Sequence, residues 1–278
     1  MDKQFWLSIK KKDFAFPAGY AIGPLTEELF TYIASTDPEL RDTIGLEAFY
    51  HWLDQGLYGV EDVRTLIPRL IENWQNGFGE SESDSVFQRS FSSLWLALIV
   101  ECDTKKPALK GDDLAPILEA LLPYFAAEQD LRGIVPVKGW AHAIAHAADL
   151  VAALAGSPHT GANEHLKMLD CIATKLRVIT DWIYVYGEES RLAMAVVQIF
   201  ARGTLSTDQI SKWLASLSAD WNNSWSDEGR ARAFFNGRNF LRSLHYRLLG
   251  RENIPDKEVI LKMLRDTLDH VQPVVLPE

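Results

Sequence analysis

Two histidines and an aspartate stand at helical spacing in one short segment, and all three side chains can do chemistry. They are His142, His146 and Asp149. At about 100° per residue, a helix would gather Lys138 and these three side chains within an arc of roughly 80°. The spacing therefore predicts a helix over residues 137–155 with a polar stripe along one face.

This stripe has three interpretations, two of them chemical and one structural. Histidines at i and i+4 can direct ring nitrogens at one metal ion, and Asp149 could add a third ligand or orient a ring. Without a metal, the same arrangement gives a histidine general base oriented by a carboxylate. The third interpretation is purely structural, with His142 and His146 hydrogen-bonded inside a helix interface. The stronger HExxH signature of zinc enzymes is absent from the sequence.

The other faces of the predicted helix indicate where the stripe lies. Trp140 and Ile144 belong to an apolar face that we expect to pack against the core. The arc between the two faces is made of alanines, whose small side chains let neighbouring helices approach closely. These are Ala141, Ala145, Ala148 and Ala152. We therefore expect the stripe to line a groove.

The segment before the stripe is also rich in charge. Glu128, Asp130 and Arg132 crowd the loop that leads to Lys138, and Gly133 allows a sharp turn there. Two carboxylates beside an arginine, near two histidines, suit a polar centre. They could equally be caps and a surface ion pair.

The elements that would position these residues are all helical. Apolar side chains recur with helical periodicity in about twelve segments, among them residues 163–184 and 228–249, with no convincing strand pattern. Short connections favour antiparallel neighbours, and paired helices give units of about forty residues. These features predict an all-α fold, either an irregular HEAT- or armadillo-like α-α superhelix or an orthogonal bundle. No linker divides the chain, so we expect a single domain over residues 1–278.

The composition of the chain indicates which partners the protein can bind and in which cellular compartment it is found. The chain has 278 residues, 47% of them hydrophobic, and a formal net charge of −10. An acidic surface repels phosphate backbones, so nucleic acid is not an expected partner. The apolar runs are too short to span a bilayer, so we expect no membrane insertion. Cys102 and Cys171 lack CxxC partners, which indicates a reducing compartment. The first residues also lack the pattern of a signal peptide. We therefore expect a cytoplasmic protein.

Several short segments together resemble a known family. The most distinctive are EQDLRG (128–133), KGWAH (138–142) and AHAADL (145–150), with DPELRD (37–42), VFQRSFS (86–92), EESRLA (188–193) and RNFLRSL (238–244). They resemble the bacterial family called domain of unknown function 2785. The resemblance spans most of the chain and implies an all-helical bacterial cytosolic protein marked by the histidine segment. It implies no activity, and Ser190 stands where the family has a charged residue.

If these segments meet in space, they would bring further charged side chains to the groove of the histidines. The set would be Arg89, Asp103, Glu128, Asp130, Arg132, Lys138, Asp149, Glu188 and Arg191. Arg89 and Arg191 have an equally good structural interpretation, as ion pairs that lock helices together.

The leading functional hypothesis is a helical-repeat-like protein that binds a protein segment or a small polar molecule. The predicted groove residues are Lys138, His142, His146, Asp149, Asp130, Arg132, Glu128 and Arg89. The alternative is a metal-dependent, hydrolytic enzyme in which His142, His146 and Asp149 hold a divalent metal. Lys138 or Arg132 would then stabilise developing negative charge.

Overall fold

The computed structural model describes residues 1–219, 221 and 226–270, and it confirms the all-α prediction. The α-helices are α1 (Lys3–Lys10), α2 (Ile22–Tyr32), α3 (Glu47–Asp54), α4 (Val60–Glu72), α5 (Ser85–Lys105), α6 (Gly111–Ala127), α7 (Ala143–Gly156), α8 (Ala162–Arg177), α9 (Glu188–Ala201), α10 (Thr207–Ser218), α11 (Glu228–Leu249) and α12 (Lys257–His270). A π-helix (Glu39–Leu46) precedes α3, and a 3-10 turn (Asn73–Gln75) follows α4. Two short strands, β1 (Ile134–Val135) and β2 (Gly139–Trp140), pair antiparallel. None of the described helices has the length and apolarity needed to span a bilayer.

The chain forms two compact units. Unit 1 is Met1–Leu150 and unit 2 is Val151–Glu278. The expected single domain and the HEAT-like pairing of helices stay predictions.

Unit 1 is built around α5, which packs against α3 and α4. Trp95 on α5 is fully buried and stacks on Phe49 of α3, with ring centroids 3.8 Å apart. Unusually for a central helix, α5 also buries polar side chains, among them Arg89 and Ser90. Buried polar groups need partners. Ser90 has them in the segment that contains the histidines, where its hydroxyl contacts the Ala141 carbonyl and the His146 ring, whereas Arg89 binds Glu128.

Unit 2 is centred on α11, which packs against α8, α9 and α12. The prediction of one helix over residues 163–184 is wrong at its C-terminal end, because α8 ends at Arg177. The β-branched run after Arg177 has low helix propensity. Asn236 of α11 fixes the non-helical segment, since it accepts from the Tyr184 N–H at 2.8 Å and donates to the Trp182 carbonyl at 3.0 Å.

Candidate functional site

The predicted histidine helix begins later than expected. α7 starts at Ala143, and residues 137–142 belong to a hairpin and the turn into the helix. In the hairpin, Ile134 pairs with Trp140 and Val135 with Gly139. The prediction that Lys138 and His142 lie on one face of a helix over residues 137–155 is therefore wrong. The prediction that Trp140 faces the core is also wrong, because Trp140 is 40% exposed.

The hairpin turn has an unusual residue at its tip. The Lys138 N–H donates to the Val135 carbonyl at 3.1 Å, with Pro136 and Val137 between them. Val137 has φ 68°. Proline followed by a residue of positive φ is the pattern of a type II turn, whose second central position favours glycine. A β-branched residue there is strained, by about 1–3 kcal/mol.

Gly139 explains how closely the hairpin approaches the start of the π-helix. It has φ +77°, and a Cβ there would lie 3.0 Å from Pro38 Cβ and 3.3 Å from Arg41 Nη2. A side chain at this position would be strained by conformation and crowded by its neighbours. The approach thus brings the sequence DPELRD against KGWAH.

Arg41 makes the contact between these two segments. Its guanidinium is buried and donates to the Ser35 carbonyl at 2.8 Å and to the Lys138 carbonyl at 2.9 Å. It also lies over the Phe87 and Phe91 rings, 4.2 and 4.6 Å from their centroids. Burial lowers the pKa of Arg41, an effect that the neighbouring Asp42 carboxylate opposes.

His142 immediately precedes α7, which begins at Ala143. It has φ 51°, its N–H donates to the Arg132 carbonyl at 3.0 Å, and its own carbonyl accepts from the His146 N–H at 2.9 Å. His142 is 9% exposed, and its ring stacks against Trp140, with ring centroids 4.5 Å apart and an interplanar angle of 23°. Left-handed backbone at a residue other than glycine is uncommon and concentrates at functional sites. Val137 and His142 both adopt it.

His146 lies one turn into α7, and its ring contacts the Ser90 hydroxyl. Its Nδ1 is 2.8 Å from Ser90 Oγ, and Ser90 donates its single hydroxyl proton to the Ala141 carbonyl. Ser90 is therefore placed to accept from Nδ1–H, and in a neutral His146 ring this tautomer has its lone pair on Nε2. The His142 and His146 rings meet edge to face, with centroids 5.8 Å apart. We call Val137, Trp140, His142 and His146 the hairpin–histidine site.

Two of the predicted groove residues form a buried ion pair instead. Arg89 donates from Nε and Nη2 to the Glu128 carboxylate at 2.7 and 3.0 Å, and both side chains are almost fully buried. Arg89 Nη1 also donates to the carbonyls of Asn76 and Gly77. Burial disfavours the charged guanidinium, but the Glu128 carboxylate outweighs it, so the pKa of Arg89 is raised. The helix-locking interpretation of Arg89 agrees with this geometry.

The next charged pair fixes the loop that leads to the hairpin. Arg132 donates to Asp130 at 2.9 and 2.6 Å and to the Ser83 carbonyl at 2.8 Å. Asp130 in turn donates its N–H to Glu128 at 2.9 Å. Four predicted residues thus form one chain of contacts that holds the loop in place.

The remaining predicted residues are scattered. Lys138 forms an exposed ion pair with Asp84 at 2.7 Å, and Asp149 is half-buried on α7. Asp103 binds the loop after α5, and Glu188 accepts from the Tyr186 N–H at 2.9 Å in unit 2. A shared groove for the whole set stays a prediction. Among the described residues, no three His, Cys, Asp or Glu side chains are grouped so as to hold a metal ion.

Sequence reasoning missed the residues that support the site. Arg41 and Ser90 belong to segments quoted for the family resemblance, but no local pattern connects them to the histidines. The sequence does contain a signal for the hairpin. Pro136 and Gly139 lie three residues apart, and this spacing is typical of a turn rather than a helix.

Comparison with known proteins identifies the family. A family model described as "Protein of unknown function (DUF2785)" matches residues 75–246, more than half of the chain. The chain belongs to the DUF2785 family. The DUF2785 match includes the hairpin–histidine site and the Arg89–Glu128 pair, whereas Arg41 precedes it. No curated protein and no solved structure matches the chain.

Proposed function

We propose that this DUF2785 protein is a binding protein whose hairpin–histidine site takes a segment of a protein partner. One observation carries the proposal: apolar side chains stand exposed on a rigidly held hairpin. Val137 is 96% exposed, Ile134 42% and Trp140 40%. Exposed aromatic and aliphatic side chains on a fixed backbone are typical anchors of protein interfaces.

The surroundings of the hairpin support a protein as the occupant. A half-exposed charged pair lies next to the apolar tip, because Lys138, the residue after Val137, pairs with Asp84 at 2.7 Å. An apolar centre within a polar rim is the usual anatomy of a protein interface. The net charge of −10 disfavours an anionic membrane or a nucleic acid at the same surface.

The strained turn gives a test in which stability and binding move in opposite directions. Val137→Asn puts a residue that tolerates left-handed backbone at the turn, so we expect the protein to become more stable by about 1 kcal/mol. The same change removes the apolar tip, so we expect binding to fall. Thermal unfolding measures the first effect. A photoreactive residue at Ile134, activated in the cells that produce the protein, measures the second as discrete protein adducts.

A matched position controls for exposure alone. Lys212 on α10 is also highly exposed, and a photoreactive residue there should not give the adducts seen from position 134. If the Val137→Asn variant were more stable and still gave the same adducts at the same yield, the hairpin would not be the binding surface. Absence of discrete adducts from position 134 would equally contradict the proposal.

A second candidate function is metal-dependent catalysis, favoured by the Ser90–His146 hydrogen bond. Metal-binding histidines usually donate their second ring N–H to an acceptor, as His146 does to Ser90. The Nε2 lone pair of His146 and the adjacent His142 ring would then hold a divalent metal, with Asp149 as a further ligand or orienting group. Such a metal would polarise a substrate or activate water.

Zinc titration of protein without a histidine tag tests this candidate. We expect one equivalent of Zn²⁺ to bind, and His146→Ala to weaken binding by about ten-fold or more. His159→Ala is the matched control, because His159 is an exposed histidine elsewhere in the chain. Unsaturable binding, or equal affinity in the His146→Ala variant, would rule out the metal candidate and leave the partner-binding proposal untouched.

A further inference from the structure

A second surface, in unit 2, lies apart from the hairpin–histidine site. The connection between α8 and α9 (residues 178–187) exposes four aliphatic side chains, which are Val178 (42% exposed), Ile179 (54%), Ile183 (37%) and Val185 (65%). Single exposed apolar residues are ordinary on a protein surface, whereas a group of them indicates an interaction site. All four are β-branched, and β-branched residues favour an extended backbone.

Residues 182–185 of this connection are extended, and one edge of them is occupied. Ile183 and Val185 are exposed while Tyr184 between them is buried, which is the alternation of an extended chain. Asn236 donates to the Trp182 carbonyl at 3.0 Å and accepts from the Tyr184 N–H at 2.8 Å. One side-chain amide thus binds the two backbone groups that a neighbouring strand would bind at this edge.

The opposite edge carries the backbone N–H and C=O groups of Ile183 and Val185. In an extended chain, the polar backbone groups of successive residues point to opposite edges. Within the part of the chain that the structure describes, none of these four groups forms a hydrogen bond. An edge with unpaired backbone groups and exposed β-branched side chains is a template for another extended segment.

This segment is complementary to a second copy of itself. If two copies lie antiparallel about Tyr184, Ile183 of one copy stands opposite Val185 of the other. Residues paired in this way exchange both N–H···O=C bonds, so all four backbone groups of each copy gain partners. The pairing also joins β-branched side chains, which stabilises a sheet. The exposed Asp181 would face Gly187, so no like charges oppose each other.

We propose that residues 182–186 bind the same residues of a second copy of this chain, as an antiparallel two-stranded ribbon about a two-fold axis. Because both copies use the same surface, association stops at a dimer. A ribbon of this size buries little surface, so we expect the dimer to dissociate on dilution. The inference does not depend on the proposed function of the hairpin, which belongs to unit 1.

Sedimentation velocity over about 5–500 µM protein tests the proposal. Each copy has a net charge of −10, so the measurement needs about 150 mM salt to screen the repulsion between copies. We expect a monomer at the low end of this range and a dimer at the high end.

Two variants assign the dimer to the open edge. Val185→Pro removes one pairing N–H without breaking a hydrogen bond of the monomer, and Val185→Lys places a charge on the edge. Each should raise the dissociation constant by about ten-fold or more, with unchanged circular dichroism. Val259→Lys is the matched control, since Val259 is an exposed valine on α12, and it should leave the constant unchanged.

Hydrogen exchange of the unaltered protein locates the interface directly. The amides of Ile183 and Val185 should exchange more slowly, by about three-fold or more, at the highest concentration than at the lowest. The Tyr184 amide, which Asn236 binds in the monomer, should show no such dependence.

Three results would overturn the proposal. The first is a monomer at every concentration, and the second is a dimer in which the amides of Ile183 and Val185 gain no protection. The third is an unchanged dissociation constant in the Val185→Lys variant. If the purified chain stayed monomeric while a photoreactive residue at position 183 gave discrete adducts in cells, the edge would belong to a different protein, and pairing with a second copy would be wrong.

Discussion

Replacement of Arg89 by methionine is expected to destabilise the protein by about 3–5 kcal/mol. The change leaves the Glu128 carboxylate in a nearly water-free site without its bidentate cation. It also removes the donor that binds the carbonyls of Asn76 and Gly77. Because whole domains are stable by about 5–15 kcal/mol, this loss is a large share of the total.

Chemical denaturation measures this loss, and two controls separate the buried charge from the lost contacts. Arg232→Met breaks an exposed pair with Glu228 on α11 and should cost no more than about 1 kcal/mol. The double variant Arg89→Met, Glu128→Leu removes both buried charges and should be more stable than Arg89→Met alone. A loss below about 1 kcal/mol for Arg89→Met would show that the pair does not hold unit 1 together.

The sequence predicted most of the helices because their ends carry local signals. For α11 the predicted bounds, residues 228–249, agree with the structure. Asp227 caps its first turn, accepting from the Arg230 N–H at 2.8 Å, and Gly250 follows its last residue. Such caps depend on a few neighbouring residues, so they can be read without knowledge of the fold.

The two failures have a common physical cause. At residues 137–142 and again at 178–184, apolar and small side chains continue a helical pattern, but the backbone finds its partners outside the segment. At residues 137–142 that partner is Arg41, which donates to the Lys138 carbonyl from 97 positions away in the chain. Asn236 does the same for the segment after α8. Periodicity reports which faces are apolar, and it does not report distant hydrogen-bond partners.

For the candidate site, residue types were predicted better than their arrangement. The His142 and His146 rings do contact each other. Lys138, however, pairs with Asp84. Four other predicted groove residues stabilise the loop before the hairpin, namely Arg89, Glu128, Asp130 and Arg132. Spacing alone could not show this, because the predicted face assumed a helix at residue 138, where the chain forms a hairpin. The strain at Val137 and His142 is also invisible in sequence, since it depends on backbone angles.

The second large effect is expected at Arg41, which holds the hairpin against the π-helix. Arg41→Lys keeps the positive charge, but a single ammonium group cannot span the Ser35 and Lys138 carbonyls as the planar guanidinium does. Loss of one charged, buried hydrogen bond should cost about 1.5–3 kcal/mol. The loss should fall on the hairpin first, because the Lys138 carbonyl belongs to it.

Hydrogen exchange resolves this local effect from a general loss of stability. We expect the amides of Lys138, Ala141 and His142 to exchange faster in the Arg41→Lys variant, together with a lower melting temperature. Arg69→Lys is the matched control, since Arg69 also lies over a ring and pairs with Glu27, but at a more exposed position. Unchanged exchange at residues 138–142 would mean that the hairpin holds its shape without Arg41. A hairpin loosened in this way should also give fewer adducts from Ile134, because a mobile anchor loses the preorganisation on which tight binding depends.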